Sequence, residues 1–222
     1  DTETILHLIA RSQKQSTVDR IIDALFEVEG AYALIGIAND KLIGVRDPLG
    51  IRPLVLGKLN ESYILASETC ALDIIGAKFI REIKNGEVVV ITKDGLESYM
   101  PFPKKPERPC IFEYIYFARP DSIVGGKSIY ECRKVFGREL SKESHIDADM
   151  VIPVPDSGVP SAIGYAEQAG IPFELGITRN HYVGRTFIQP KQSIRSFSVR
   201  LKHNANRTLV CLLYTSPSPR DS

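Results

Sequence analysis

The stretch AYALIGIANDKLIGVRDPLGIRPLVLGKLNESYILA (Ala31 to Ala66) decides the fold of the first half of this 222-residue chain. Its apolar runs, Ala31–Ala38, Lys41–Val45, Leu54–Leu56 and Tyr63–Ala66, are short and broken by Asn39-Asp40, Asp47-Pro48-Leu49-Gly50 and Leu59-Asn60-Glu61. Asn, Asp, Pro and Gly at such breaks favour turns, so the runs read as consecutive strands. Further on, Val88–Thr92 and Leu96–Tyr99 flank Asp94-Gly95, a pair that tolerates the positive backbone angles of a two-residue hairpin turn.

Before Gly30 the apolar period is helical. Ile5, Leu8 and Ile9 mark one helix, and Val18, Ile21, Ile22 and Leu25 recur at i, i+3, i+4 and i+7 in a second. Helices followed by antiparallel strands predict an α+β domain over residues 1–100, with helices packed on a sheet. Pro101, Pro103, Pro106 and Pro109 then remove both helix and central strand as options, which makes residues 101–109 a linker. Beyond it, a helix is expected over Ser128–Ser144, a buried strand over Met150–Val154, a loop at Pro155–Gly158, a helix over Val159–Ala169 and a strand over Ile171–Leu175. Strand, loop, helix and strand make one unit of a parallel α/β sheet, so residues 110–210 read as the start of a second domain.

A content of 43% hydrophobic and 25% charged residues excludes disorder of the whole chain and fits a soluble globular protein. The longest apolar runs fall far short of the ~20 residues a membrane-spanning helix needs, and no basic-then-apolar leader opens the sequence. The expectation is a cytoplasmic protein with no membrane partner. Cys70, Cys110, Cys132 and Cys211 stand far apart with no CxxC pair, which suits reduced thiols better than a disulfide framework or a self-contained zinc site. The net charge of +1 hides an asymmetry: residues 1–174 carry 20 Lys/Arg against 26 Asp/Glu, and residues 175–222 carry 8 against 1. An anionic ligand is therefore expected at the C-terminal part, either small phosphates or a nucleic-acid backbone.

Both ends look cut. Asp1-Thr2-Glu3 serves as a helix N-terminus, so the chain reads as beginning inside a domain. At the other end, CLLYTSPSPRD (Cys211 to Asp221) resembles the translation of a transposase sequencing adapter, and residues 211–222 are read as a non-native tail.

Two segments could carry chemistry. The Pro155–Gly158 loop opens a helix, where free N–H groups and the helix dipole favour an anion. Asp156 and Ser157 add oxygens suited to a hydrated Mg²⁺ on a bound pyrophosphate, although a plain turn capped by Ser157 explains the same four residues. Downstream, NHYVGRTFIQPKQSIRS (Asn180 to Ser196) combines Arg185, Lys191 and Arg195 with Gly184 and two aromatics and has no acid. That mixture suits a lid over phosphates. A nucleic-acid surface, with Tyr182 and Phe187 stacking on bases, would also need a platform for successive nucleotides, and none is legible.

EYIYFARPDS (Glu113 to Ser122), VIPVPDSGVPSAIGYA (Val151 to Ala166) and RNHYVGRTFIQP (Arg179 to Pro190) resemble successive motifs of the amidophosphoribosyltransferase family, and GVRDPLGIRPLVLGK (Gly44 to Lys58) resembles its glutaminase half. The resemblance covers residues 1–210, in order. It implies an internal fragment with an N-terminal nucleophile hydrolase (class II glutaminase, αββα) domain, followed by an α/β phosphoribosyltransferase domain, both truncated. The implied activity is that of a glycosyltransferase. Ammonia released from glutamine by an N-terminal Cys attacks C1 of phosphoribosyl pyrophosphate in de novo purine synthesis, giving 5-phosphoribosylamine, glutamate and pyrophosphate.

By the same resemblance, Asp1 holds the α-amino group of glutamine, Ser157 contacts Mg²⁺, and Asp156 to Val159, including Gly158, form the pyrophosphate loop. Arg179 through Gln189 form the flexible loop over phosphoribosyl pyrophosphate, with Tyr182 and Arg185 at its centre. Arg179 stands where relatives often have Lys, which keeps the charge but changes donor geometry. Some members bind a [4Fe–4S] cluster through a Cys just before EYIYFARPDS, where Cys110 stands; others keep a Cys there without a cluster, so ligand and buried thiol both remain open. The Cys nucleophile, the Arg that grips the glutamine carboxylate and the Asn-Gly oxyanion pair are expected upstream of Asp1, and the double-acid ribose motif after Val210. The fragment is thus expected to be inactive alone, with no catalytic residue of its own. The family also implies a homo-oligomer inhibited by purine nucleotides, and no nucleic-acid partner. Two other readings compete: a different class II glutamine amidotransferase, which would lack VIPVPDSGVPSAIGYA, and a non-catalytic regulator on a phosphoribosyltransferase fold, which would lack residues 1–100.

Overall fold

The computed structural model describes residues 2–184 and 191–210. Asp1, Arg185 and the tail 211–222, three of the sequence expectations, lie outside the described residues. Chain contacts divide the protein into two compact units between Ile129 and Tyr130.

The first unit begins with helices α1 (Thr2–Arg11) and α2 (Thr17–Phe26). Ser16 starts α2 by accepting a hydrogen bond from the Asp19 amide at 3.0 Å. Strands β1 (Ala33–Ala38), β2 (Lys41–Arg46), β3 (Val55–Leu59) and β4 (Ser62–Ala66) follow, then helix α3 (Thr69–Ile74), strand β5 (Lys78–Glu82) and the hairpin β6 (Val88–Thr92) and β7 (Gly95–Tyr99). They form two antiparallel sheets, ordered β1-β2-β6-β7 and β4-β3-β5. The turns at Asn39-Asp40 and Asn60-Glu61 fall where the sequence places them, with both asparagines at positive φ. The β6–β7 turn is shifted by one residue from the expected Asp94-Gly95. Thr92 pairs with Gly95, the loop residues are Lys93 and Asp94, and it is Gly95 that takes the positive φ.

The two-residue period of the strands builds the layers. Ile43, Val45, Val88 and Val90 face Leu25 and the apolar faces of α1 and α2, with Tyr32 and Phe102 completing that core. On the other side Val89, with Ile91 beside it, meets Leu54, Leu56 and Ile83 between the two sheets. Val55 points the opposite way, onto Leu72 of α3 and Ala77. Helices, sheet, sheet and helix thus stack in the expected αββα order, and Val88, Val89 and Val90 are all buried because β6 lies between two layers. Gly57 is required where α3 crosses β3, since a Cβ there would come within 2.6 Å of the Leu72 side chain.

The proline-rich stretch 101–109 and the next twenty residues pack within this first unit. Arg108 and Cys110 donate amide hydrogen bonds to the Leu49 and Ile51 carbonyls, at 2.8 and 3.1 Å. A π-type turn at Glu113–Phe117 leads to the short hairpin β8 (Ile123–Val124) and β9 (Lys127–Ser128). Glu68 at the start of α3 anchors this region, accepting from the Arg119 amide and the Ser122 hydroxyl, each at 2.8 Å.

The second unit holds helices α4 (Ile129–Glu143) and α5 (Val159–Ala169), strands β10 (Ile177–Arg179) and β11 (His203–Ala205), and helices α6 (Gln192–Lys202) and α7 (Arg207–Val210). Backbones of α4 and α5 touch: a Cβ on Gly137 would lie 1.9 Å from the Ser161 carbonyl oxygen, and one on Gly164 2.0 Å from that of Lys134. Glu167 bridges the pair, bound to Lys134 at 2.7 Å and Arg138 at 2.9 Å. The strands expected at Met150–Val154 and Ile171–Leu175 do not form as strands. They meet in a single parallel bridge between Val151 and Phe173, with two backbone hydrogen bonds. Among the described residues this pair has no flanking strand, and a parallel pair by itself has too few ladder bonds to extend.

Candidate functional site

In the first unit, the sequence RDPLGIRP folds into a loop that carries Arg52 into a cleft of about 400 Å³. Asp47, fully buried, accepts hydrogen bonds from the amides of Leu49 at 2.9 Å, Ile51 at 3.1 Å and Tyr32 at 3.4 Å. Arg46 braces the loop from the other side, donating to the carbonyls of Arg52, Ile83 and Gly50 at 2.9, 2.8 and 3.1 Å. Gly50 turns at φ +65°, and a Cβ there would collide with Asn85. Buried polar groups satisfied by backbone in this way hold a loop in one conformation.

The Arg52 guanidinium stands 3.1 Å from Glu113 Oε1 and 4.7 Å from the ring centre of Phe117, the first and last residues of the π-type turn. The ion pair is close but poorly aligned, because Glu113 Oε1 makes no hydrogen bond although it is buried. Burial pushes the Glu113 carboxyl above the ordinary range; Arg52 opposes this and the charge of Glu68 adds to it. Tyr32 lines the same cleft with a buried hydroxyl that has no partner, and burial, helped by Asp47, raises its pKa to about 12. Thr2, Ser67 and Glu68 complete the polar lining. Asp1, read as the amino-group ligand, lies outside the described residues, but Thr2 beside it borders the cleft. Sequence reading assigned no role to Tyr32, Arg52, Glu68 or Glu113. The signal was present in GIRP and EYIYF, each placing a charge within an apolar run.

Cys110 is half-buried, its amide bound to Ile51 and its carbonyl to Glu113. Among the described residues no group of three or more His, Cys, Asp or Glu side chains is placed to hold a metal. The three further cysteine ligands that the resemblance implies for a [4Fe–4S] cluster would lie beyond Val210, outside the described residues.

In the second unit, the structure brings together two of the sequence candidates: Arg179, at the end of β10, forms a close ion pair with Asp156. The Arg179 Nε is buried without a hydrogen-bond partner. Gly158, not Ser157, is the N-cap of α5, and no side chain caps the helix. Ser157 is exposed instead, so the capping explanation of this loop does not hold. A Cβ on Gly158 would lie 2.8 Å from the Val154 carbonyl oxygen, which makes the glycine part of the tight turn. Tyr182 is fully exposed, its amide bound to the Asn180 side chain at 3.0 Å, and Arg185 lies outside the described residues. An oxygen-bearing loop at a helix N-terminus beside a fixed guanidinium is chemistry suited to phosphate oxygens.

The glutamine amidotransferase domain family matches residues 1–73. The chain is 59% identical over 215 residues to an amidophosphoribosyltransferase of Rhizobium etli, covering 95% of this chain and 43% of that protein. It is 54% identical over 203 residues to the chloroplastic amidophosphoribosyltransferase 1 of Arabidopsis thaliana, covering 91% of this chain and 36% of the relative. The solved glutamine phosphoribosylpyrophosphate amidotransferase of Bacillus subtilis, complexed with ADP and GMP, superposes with a TM-score of 0.86 at 45% identity, over 95% of this chain and 46% of its own. The chain therefore spans less than half the length of these relatives. With that identity sustained along almost its whole length and the same fold beneath it, the chain is similar to a part of the amidophosphoribosyltransferases, and its first third matches the glutamine amidotransferase domain family.

Proposed function

We propose that this chain is the part of an amidophosphoribosyltransferase that carries most of the glutaminase sandwich and the opening of the phosphoribosyltransferase half. The reaction is transfer of glutamine-derived ammonia to phosphoribosyl pyrophosphate, giving 5-phosphoribosylamine, glutamate and pyrophosphate for purine synthesis. The observation that carries this reading is the αββα sandwich joined in sequence to the Pro155–Gly158 loop with its Asp156–Arg179 pair. On this reading Asp1 takes the glutamine amino group, and Asp156, Ser157, Gly158 and Arg179 receive pyrophosphate, with Tyr182 and Arg185 in the loop above it.

Magnesium is part of the proposal as the charge partner of the pyrophosphate. Asp156 and Ser157 supply a carboxylate, already paired with Arg179, and a hydroxyl, which fits a cation that arrives on the phosphates and keeps its waters. For Cys110 the proposal is a free thiol, with iron analysis of a full-length relative-sized chain as the check on a [4Fe–4S] alternative. No described helix is long and apolar enough to cross a membrane; a cytoplasmic location, homo-oligomeric assembly and inhibition by purine nucleotides are carried over as proposals.

The test is pyrophosphate release from phosphoribosyl pyrophosphate with magnesium, by a chain extended to the length of the relatives. Release that depends on glutamine or ammonia supports the assignment, and no turnover with either donor overturns it. The 222-residue chain alone is expected to be inactive.

A further inference from the structure

Three backbone segments of the first unit converge on another cleft, of about 450 Å³. One is the turn that carries Pro48, held by the buried carboxylate of Asp47. The next is the turn from β5 to β6, where the Lys84 amide donates to Glu87 Oε2 at 2.7 Å and the Lys84 carbonyl accepts from the Glu87 amide at 3.0 Å. Gly86 in that turn lies against the other two segments, since a Cβ there would come within 3.6 Å of both Pro48 and Phe102. The third segment, residues 100–107, is pinned by Phe102, whose ring centre lies 5.0 Å from that of Phe26, and just past its end by the Arg108 amide on the Leu49 carbonyl. With all three roots fixed, the cleft is preformed, and its volume lies in the range of small-molecule sites. Its lining divides by chemistry: Pro48, Met100 and Phe102 make an apolar wall, and Lys84, Lys104 and Lys105 stand exposed around it. Among the described residues none of these three lysines forms an ion pair. Cations from two separate segments around one concave surface focus a positive potential there, and their methylene stems extend the apolar wall.

We propose that this cleft binds a small phosphate monoester with an apolar body, its phosphate held among Lys84, Lys104 and Lys105 and its body laid on Pro48, Met100 and Phe102. The charge of the group follows from the lining. Three lysines stand against one carboxylate, Glu107, so a dianion neutralises what remains. Ammonium groups on long stems suit a compact dianion, because each is a point charge whose three donors can turn to any phosphate oxygen. The body follows from the wall. Asn85 is the single uncharged polar side chain on the lining, so a nucleoside would give up water at its base and ribose with few partners in exchange, whereas an apolar ring loses nothing. Lys84, Lys104 and Lys105 are thus binding residues, and Met100, exposed until a ligand covers it, selects the body.

The experiment titrates the 222-residue chain with 1-naphthyl phosphate, 1-naphthol and inorganic phosphate by calorimetry, without magnesium, and measures acetylation of each lysine with and without the ester. The ester is expected to bind about tenfold more tightly than either of its halves, since it alone uses both wall and cations. Acetylation of Lys84, Lys104 and Lys105 should slow about threefold when it binds, while Lys58 and Lys134, outside the lining, react as before. Lys84→Gln should weaken the ester about two- to fivefold, the worth of one exposed charge, and the Lys104→Gln/Lys105→Gln pair by more. Met100→Ala should weaken the ester and leave inorganic phosphate unchanged. All four positions are exposed, so these variants keep the fold. Added salt should also weaken the ester, because exposed charges are screened. Binding that leaves the three lysines unprotected, or that survives their replacement unchanged, overturns the inference, and so does an ester held no more tightly than inorganic phosphate. Protection by AMP equal to that by the ester would overturn the apolar body.

Discussion

Glu87, nearly fully buried, receives both terminal nitrogens of Arg81, at 2.8 and 2.7 Å, and so ties the end of β5 to the start of β6. The same carboxylate accepts from the Lys84 amide at 2.7 Å and the Ser98 hydroxyl at 2.6 Å. One side chain thus joins strands from both sheets of the sandwich.

Acid should loosen this joint. Burial opposes the charged form of Glu87, but the hydrogen bonds from Arg81, Ser98 and Lys84 outweigh it and hold the carboxyl below its ordinary range. A depressed folded pKa adds stability that is fully present above the unfolded value of about 4.3 and is lost as pH falls through the folded value. Urea unfolding of the wild type should therefore show a midpoint that drops below about pH 4.5 more steeply than that of Glu87→Gln. At neutral pH Glu87→Gln should cost about 1–3 kcal/mol, since Arg81 can still reach water.

Asp47→Ala should cost more than its single side chain suggests. Three backbone amides, of Tyr32, Leu49 and Ile51, lose their acceptor at once, and each buried orphan costs about 1–3 kcal/mol. The expected result is loss of at least ~3 kcal/mol in denaturant unfolding; Asp47→Asn, which keeps one oxygen, should fall between. A loss no larger than that of an exposed Asp→Ala control would contradict the role given to this loop.

Gly164→Ala tests the crossing of α4 and α5. Alanine is intrinsically the better helix former by about 1 kcal/mol. Its methyl group would nevertheless need the Lys134 carbonyl to move from 2.0 Å, and backbone in a packed helix gives way only at a cost of about 1–3 kcal/mol. Thermal unfolding of the chain should therefore occur at lower temperature in Gly164→Ala, with an increase arguing against backbone contact.

The Asp156–Arg179 pair makes opposite predictions with and without magnesium. Without the metal, Asp156→Asn frees Arg179 for phosphate oxygens and should tighten pyrophosphate binding about two- to fivefold, the worth of an exposed ion pair of ~0.5–1 kcal/mol. With magnesium the same substitution removes an oxygen donor and should weaken binding. Calorimetry in each condition reads both, and a change of the same sign in the two would remove Asp156 from the metal's side of the proposal.

The sequence by itself determined the local pieces of this protein. Asn-containing turns, the short apolar runs between them and the helical repeat at Val18, Ile21, Ile22 and Leu25 are short-range signals, and the elements they specify formed where expected. Helix α5 matched its expected limits for the same reason, with Pro160 inside its start and Gly170 past its end. Long motifs carried the family, because they preserve many spacings at once. Short elements without a period escaped: α3 is six residues long, and β5 exposes Lys78, Phe79 and Ile80 on an edge, where burial imposes no alternation.

Only the tertiary structure decided which residues meet. Strands expected at 150–154 and 171–175 reduce to one bridge, since a parallel strand is stabilised by neighbours supplied from elsewhere in the chain. Residues 110–129 read as the start of the second half, yet they fold within the first unit, anchored on Glu68 by hydrogen bonds spanning 51 and 54 residues. The Arg52–Glu113 contact likewise joins a strand-connecting loop to a turn sixty residues on. Nothing local encodes that distance: charge finds its partner through the packing of β-sheets, and packing is a property of the whole unit.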